Sequence, residues 1–234
     1  MNLLEVAGVS RAFGGNRAVD NVSFDLTVDT LALVGPNGAG KTTLLNLIAG
    51  CLHPQAGSIR FQGREVSRLP PWRIARLGMV KTYQVVRPFR TLTVEENLGL
   101  FGRLRGTADI ERTLEATGLM EFRGSLAGAL PFGLLKRLEL AKGLAARPVL
   151  LLLDEPIGGL SRSEARSLVV SLAALKRSGV RMVVVEHRLA EILPIVDRVV
   201  ALDRGHVIFH GTRSEFFHDP AVRVAYLGST DAAG

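Results

Sequence analysis

Leu31-Ala32-Leu33-Val34-Gly35-Pro36-Asn37-Gly38-Ala39-Gly40-Lys41-Thr42-Thr43 decides the fold. Its first four residues are a continuous apolar run that suits a buried strand, the glycines make a turn, and Lys41 to Ala49 has helical composition with Gly50 at its end. Strand, glycine-rich loop and helix in that order are the context in which the spacing G-x-x-x-x-G-K-[ST] forms a phosphate loop. The glycines let successive backbone N–H groups converge on phosphate oxygens, and the helix presents its positive end to them. The pattern implies that Gly35, Pro36, Asn37, Gly38, Ala39, Gly40, Lys41, Thr42 and Thr43 hold a nucleoside triphosphate, with Lys41 on the β and γ phosphates and Thr42 on Mg²⁺. Alone, the loop leaves kinases, GTPases, recombinases and transport ATPases open, since all share positioning chemistry.

The same grammar returns later. Val149 to Leu153 and Met182 to Val185 are fully apolar runs bracketing a helix over Ser163 to Lys176, as buried parallel strands require. The core is therefore α/β with a mainly parallel sheet. Leu4-Glu5-Val6 and Val22-Ser23-Phe24-Asp25-Leu26 alternate as half-buried antiparallel strands do, and Arg60 to Val66 reads as a further strand of that N-terminal layer. Helical spacing over Val94 to Leu104, Ile110 to Thr117 and Leu134 to Ala146, punctuated by Pro88, Gly106, Gly118 and Pro131, predicts a helical insert. Toward the end, Arg198 to Leu202, a turn at Asp203-Arg204-Gly205 and His206 to Phe209 predict a hairpin, followed by a short helix near Ser214 and a Gly/Ala-rich frayed tail. The expected organisation is one domain over 1–234. The β layer and nucleotide core occupy 1–84 and 147–212, the helical insert 85–146, and the C-terminal helix and tail 213–234.

Composition sets outer bounds. A chain of 234 residues, 47% hydrophobic and 22% charged, can bury a substantial core, which excludes disordered and fibrous classes. Its apolar runs fall far short of the ~20 residues that span a bilayer. Met1-Asn2-Leu3-Leu4-Glu5 lacks the basic and long apolar stretches of a secretory signal, and Cys51 is the only cysteine, so the reducing cytoplasm is the expected compartment. The net charge of +7 admits nucleic acid, anionic lipid or phosphate ligands without selecting among them.

Leu150-Leu151-Leu152-Leu153-Asp154-Glu155-Pro156 sets two acids at the carboxyl end of a buried strand, where an open parallel sheet places its ligands. Asp154 can hold Mg²⁺ through water. Glu155 faces differently and is the candidate base, or orienter, for an attacking water.

Taken in order, Gly35 to Thr43, Gln84, Leu130-Pro131-Phe132-Gly133-Leu134, Asp154-Glu155 and His187 resemble the ABC ATPase family along nearly the whole chain. The resemblance implies a RecA-like phosphate-loop core and hydrolysis of ATP with Mg²⁺. It implies that Gln84 contacts Mg²⁺ and the attacking water, that His187 touches the γ-phosphate, and that Phe13, with Val19 beside it, stacks on adenine. It also implies that Ile157 to Ser161 crosses to a second subunit, and that two such domains sandwich two ATP molecules, each signature segment acting on the partner's nucleotide.

The signature segment departs from the family pattern. Leu130-Pro131-Phe132-Gly133-Leu134 stands where Leu-Ser-Gly-Gly-Gln is usual, and Pro131 supplies neither hydroxyl nor N–H, so a charge-assisted hydrogen bond typically worth about 1.5–3 kcal/mol is missing. An aromatic at Phe132, together with Arg11-Ala12-Phe13-Gly14-Gly15, Thr82-Tyr83-Gln84-Val85-Val86-Arg87-Pro88-Phe89, Leu92-Thr93-Val94-Glu95-Glu96-Asn97 and Glu186-His187, is similar to the ATPases of branched-chain amino acid and related urea or amide importers. That subgroup implies integral-membrane partner subunits, a second ABC ATPase, a periplasmic or extracellular solute-binding protein, and residence on the cytoplasmic face of the cell membrane. Nucleic acid is not expected as a partner, since the coiled-coil insertion or second ATPase unit of DNA-maintenance and ribosomal relatives is missing here. Intact Lys41, Asp154, Glu155 and His187 speak for hydrolysis over mere nucleotide binding. Val86, Phe89 and Leu92 are expected to line a groove for a membrane subunit's cytoplasmic helix.

Overall fold

Alternating burial drives the first two strands, β1 (Leu4–Phe13) and β2 (Asn16–Leu26), into an antiparallel pair, Leu4 opposite Leu26 and Val6 opposite Phe24. The wholly buried β3 (Thr30–Val34) leaves this layer and leads through the glycine loop into α1 (Lys41–Ile48). The computed structural model describes residues 2–102 and 109–227. The single strand expected over 60–66 is instead a hairpin of β4 (Ala56–Phe61) and β5 (Arg64–Glu65), because Gln62 and Gly63 both take positive φ, 52° and 74°, and turn the chain back. Next come α2 (Pro71–Leu77) and β6 (Met79–Lys81), neither of which the residue pattern announces.

The insert comprises α3 (Val94–Gly102), α4 (Ile110–Thr117) and α5 (Phe132–Ala145), gathered on an apolar core of their own that includes Val94, Leu98, Leu114 and Leu138. Residues 103 and 104 of the expected first helix, the Gly106 punctuation, and the tail after 227 lie outside the described residues. The chain then alternates through β7 (Leu150–Asp154), α6 (Arg162–Arg177), β8 (Arg181–Val185), α7 (Leu189–Ile192) and β9 (Arg198–Asp203). It closes with β10 (His206–Thr212), α8 (Arg213–Phe216) and α9 (Pro220–Leu227).

Two sheets result, one of four strands in the order β2-β1-β4-β5 and one of six in the order β10-β9-β3-β8-β7-β6. In the larger sheet β9, β3, β8, β7 and β6 run parallel, and β10 returns antiparallel at the edge. Apolar clusters cover both of its faces, one around Leu33, Leu44 and Leu152, the other around Val34, Leu153, Leu168 and Val184. This burial fixes one end for chemistry. The carboxyl ends of β3, β6, β7 and β8 deliver the glycine loop, Gln84, Asp154-Glu155 and Glu186-His187 to the same edge, where an open α/β sheet binds its ligands.

Candidate functional site

The glycine loop is shaped by backbone that approaches too closely for a side chain. A Cβ added at Gly35 would lie 2.2 Å from the Leu202 carbonyl oxygen, and one at Gly40 would lie 2.1 Å from that of Ala18. Gly40, at φ 100°, is also the residue before α1, and no side chain caps that helix, so its positive end is left for a ligand. The loop from Asn37 to Thr43 lines a cavity of about 180 Å³ together with Ala18 and Glu155.

Lys41 curls into the loop, its Nζ donating to the carbonyls of Gly35 and Pro36 at 2.7 Å each. Burial pulls its pKa below the ordinary lysine value, against the opposing fields of Glu155 and Asp154. A partly desolvated cation held only by carbonyls is set to exchange them for phosphate oxygens. Thr42 Oγ1 stands 3.5 Å from Asp154 Oδ1. The other oxygen of Asp154 is paired with Lys81 Nζ at 3.1 Å, both side chains almost wholly buried. Lys81 escapes the sequence reading because β6 is only three residues long and its lysine lies one residue before the recognised stretch that begins at Thr82.

Glu155 follows β7 with φ 48°, a left-handed conformation that costs a non-glycine residue about 1–2 kcal/mol. Its N–H donates to Val185 O at 2.9 Å, and Gln84 Nε2 donates to its Oε2 at 2.7 Å. His187 Nδ1 is 4.0 Å from Glu155 Oε1 and 3.8 Å from Glu186 Oε2. Glu186 itself is fully buried and accepts from the N–H groups of Ile157 and His187, so it holds the segment after Glu155 against the end of β8. Gln84, Glu155, His187, Phe132 and Lys136 border a second cavity of about 420 Å³, which Glu155 shares with the phosphate-loop cavity.

In the signature segment, Leu130 is buried and Pro131 is the residue before α5. Phe132 is half exposed and rests on Gly159, where an added Cβ would come within 3.0 Å of its ring. Gly133 faces Glu164, whose carboxylate closes the capping box with Ser161 at the start of α6, and Leu134 packs partly into the helical core.

Other expected positions fall differently. Phe13 is 47% exposed, with the Arg11 guanidinium over its ring at 5.1 Å, so its ring is open at the surface. Val19 is fully buried beneath Gly40; Ala18 borders the phosphate-loop cavity in its place, because alternation along β2 turns Val19 inward. Of the three residues expected to line a groove, only Phe89 does so. A cavity of about 320 Å³ is bounded by Tyr83, Arg87, Phe89, Phe101, Glu139 and Lys142 among others, whereas Val86 faces the Gln84 cavity and Leu92 borders neither.

A phosphate loop, an acidic strand end and a polar residue at the end of each neighbouring strand define a nucleotide-hydrolysing protein of the phosphate-loop class. The family model described as ABC transporter matches residues 19–158. The high-affinity branched-chain amino acid transport ATP-binding protein LivG of Salmonella typhimurium is 37% identical over 97% of this chain and 98% of its own length. The corresponding protein BraF of Pseudomonas aeruginosa is 35% identical over 97% and 98%. A solved nucleotide-free ATP-binding cassette from an ABC transporter superposes with a TM-score of 0.87 at 27% identity, covering 97% of this chain and 99% of that one, and an ADP-bound cassette gives the same values. The chain belongs to the ABC transporter family. It is an ATP-binding subunit of such a transporter and an ATPase, with the α/β fold its sequence implied.

Proposed function

We propose that this chain hydrolyses ATP at the cytoplasmic face of a cell membrane to drive import of branched-chain amino acids or a related small polar solute. The substrate class rests on the function carried in the names of its relatives. Among the described residues no helix is long and apolar enough to cross a membrane, so the solute path belongs to integral-membrane partner subunits. The groove beside Tyr83, Phe89 and Phe101 suits a cytoplasmic helix of such a subunit, since its lining combines aromatic rings with Arg87, Glu139 and Lys142. A solute-binding protein outside the membrane and a second ABC ATPase complete the proposed assembly.

The observation that carries the hydrolytic reading is the 2.7 Å bond from Gln84 Nε2 to Glu155 Oε2 beside the phosphate loop. It fixes one carboxylate oxygen and leaves the other to take a proton from a water attacking the γ-phosphate. His187, after β8, is the group facing the γ-phosphate, and Phe13, exposed at the end of β1, is the surface for adenine. Thr42 and Asp154 supply two oxygen donors, and among the described residues no group of three or more His, Cys, Asp or Glu forms a protein-only metal cage. That donor set fits Mg²⁺, which keeps waters and takes its remaining oxygens from phosphates; Thr42, Asp154 and Gln84 would hold it. When bound, Mg²⁺ neutralises charge on the β and γ phosphate oxygens.

Pro131 at the head of α5 offers a partner's nucleotide neither hydroxyl nor N–H, which favours a non-identical second ATPase that supplies the fuller signature. Glu155→Gln is expected to bind ATP and lose turnover. Light scattering on that variant with Mg²⁺ and ATP then decides the pairing: a dimer means the Pro131 segment closes on nucleotide, and an ATP-bound monomer means a different chain is required. Uptake of labelled leucine by cells lacking this chain tests the branched-chain solute, and undiminished uptake would refute that solute and leave the related ones.

A further inference from the structure

We propose that Lys136 is a positioning residue that ties the pair Gln84 and Glu155 to the helix bearing the signature segment. Lysine is among the residues least often buried, yet Lys136 is only 5% exposed. Its Nζ donates to two backbone oxygens, Gln84 O at 2.9 Å and Glu155 O at 3.0 Å. These are the same two residues whose side chains meet at 2.7 Å, so a single ammonium closes a triangle behind their contact. One corner of it is a residue held at φ 48°, a conformation that persists only where the surroundings over-determine it.

Lys136 stands four residues after Phe132, one turn along α5 and on the same face. Its Nζ lies 5.8 Å from the Phe132 ring centre, and both residues border the cavity shared with Gln84, Glu155 and His187. Arg137, the next residue, faces away and anchors α5 to Thr117 O and Ser167 Oγ. The first turns of α5 are thus fastened through Arg137 to α4 and α6, and through Lys136 to the backbone of both segments that carry hydrolysis, while Glu139, a turn further on, accepts from the Tyr83 N–H at 3.3 Å. A displacement of α5 of one ångström would break hydrogen bonds of this length. The inference rests on the reading of Gln84 and Glu155 as the hydrolytic pair. It adds that the position of a subunit's own signature helix sets the geometry of its own hydrolytic pair.

The test is amide hydrogen exchange and ATP turnover on the full chain, comparing wild type with Lys136→Met and Lys136→Arg. In Lys136→Met, the amides of 84–86 and 155–158 are expected to exchange about tenfold faster while those within α5 keep their rates, and turnover is expected to fall about tenfold with ATP-analogue affinity within about twofold. Lys136→Arg, which can still donate to both carbonyls, should restore both readouts. Should Lys136→Met fail to fold, Lys136→Gln, with one donor group, is expected to give intermediate values. Unchanged exchange at the two segments overturns the tie, and faster exchange with undiminished turnover overturns its positioning role. Glu155→Gln run in parallel separates the two readings: full turnover there removes Glu155 from the chemistry and leaves the exchange result to judge Lys136, whereas an inactive Glu155→Gln beside a Lys136→Met like wild type overturns Lys136 alone.

Discussion

Lys81 Nζ lies 3.1 Å from Asp154 Oδ2 where both side chains are nearly dry, so the acid proposed to hold Mg²⁺ is already paired with a cation from the neighbouring strand. Asp154 keeps its second oxygen for Thr42 and for what binds there. Removing one member of a buried pair strands the other, at about 3–5 kcal/mol. Lys81→Met should therefore lower the melting temperature by about 10 °C at neutral pH, at about 2–4 °C per kcal/mol for a chain of this size. Lys81→Arg should lose little. A Lys81→Met protein melting with wild type would mean that Asp154 is held by other groups.

The two glycines flanking Ala39 make a matched pair for testing the loop. Gly38 has φ 81° and nothing within 4 Å of an added Cβ, whereas Gly40 has φ 100° and the Ala18 carbonyl oxygen at 2.1 Å. Gly38→Ala carries only the left-handed cost of about 1–2 kcal/mol. Gly40→Ala adds a backbone clash and should lose about 1–3 kcal/mol more. Nucleotide titration and thermal melts on both variants should rank them in that order, and equal losses would refute the close packing of the loop on β2.

Most of this fold was legible because its decisive signals are local. A phosphate loop is one strand, one turn and one helix, and Leu150 to Glu155 announces both its burial and its acids in six residues. Gln84 and His187 could be ranked by motif order alone, and the structure brings both to Glu155. What stayed hidden depends on contacts across the chain. Lys81 and Lys136 resemble ordinary surface cations until β6 is paired with β7 and α5 is laid over Gln84. Val19 and Ala18 are adjacent in sequence, and only strand register decides which faces the cavity. The hairpin at Gln62-Gly63 was lost because Gln is an uncommon residue at positive φ.

The groove beside Phe89 makes a separate prediction about assembly. Phe89 is half exposed, and its N–H and carbonyl are both held by the buried Asn97 side chain, so its ring is presented from a fixed backbone. Phe89→Glu replaces an aromatic ring of the groove's lining with a charge and leaves the backbone groups that Asn97 holds in place. Co-purification with the membrane subunits should fall at least about tenfold, while the isolated chain keeps its melting temperature within about 2 °C. Undiminished assembly would take the membrane contact away from this groove.

Glu186 gives the chain a pH dependence of known sign. Its carboxyl is wholly buried, and burial raises its pKa above the ordinary value of 4.5 although the N–H of Ile157, the charge of His187 and the N–H groups of Arg188 and His187 all oppose the shift. A raised folded-state value means that the folded protein holds a proton the unfolded chain has released. The associated stability is complete below pH 4.5 and is lost as pH rises through the folded value. Glu186→Gln cannot titrate, and it offers one acceptor oxygen where the carboxyl offers two to the N–H groups of Ile157, Arg188 and His187, at a cost of about 1 kcal/mol. Below pH 4.5 the variant should therefore melt slightly below wild type, and the difference should shrink as pH is raised toward 8. Thermal melts of both proteins across that range measure it, and a difference that stays constant with pH would show that the Glu186 carboxyl is ionised in the fold as readily as in water.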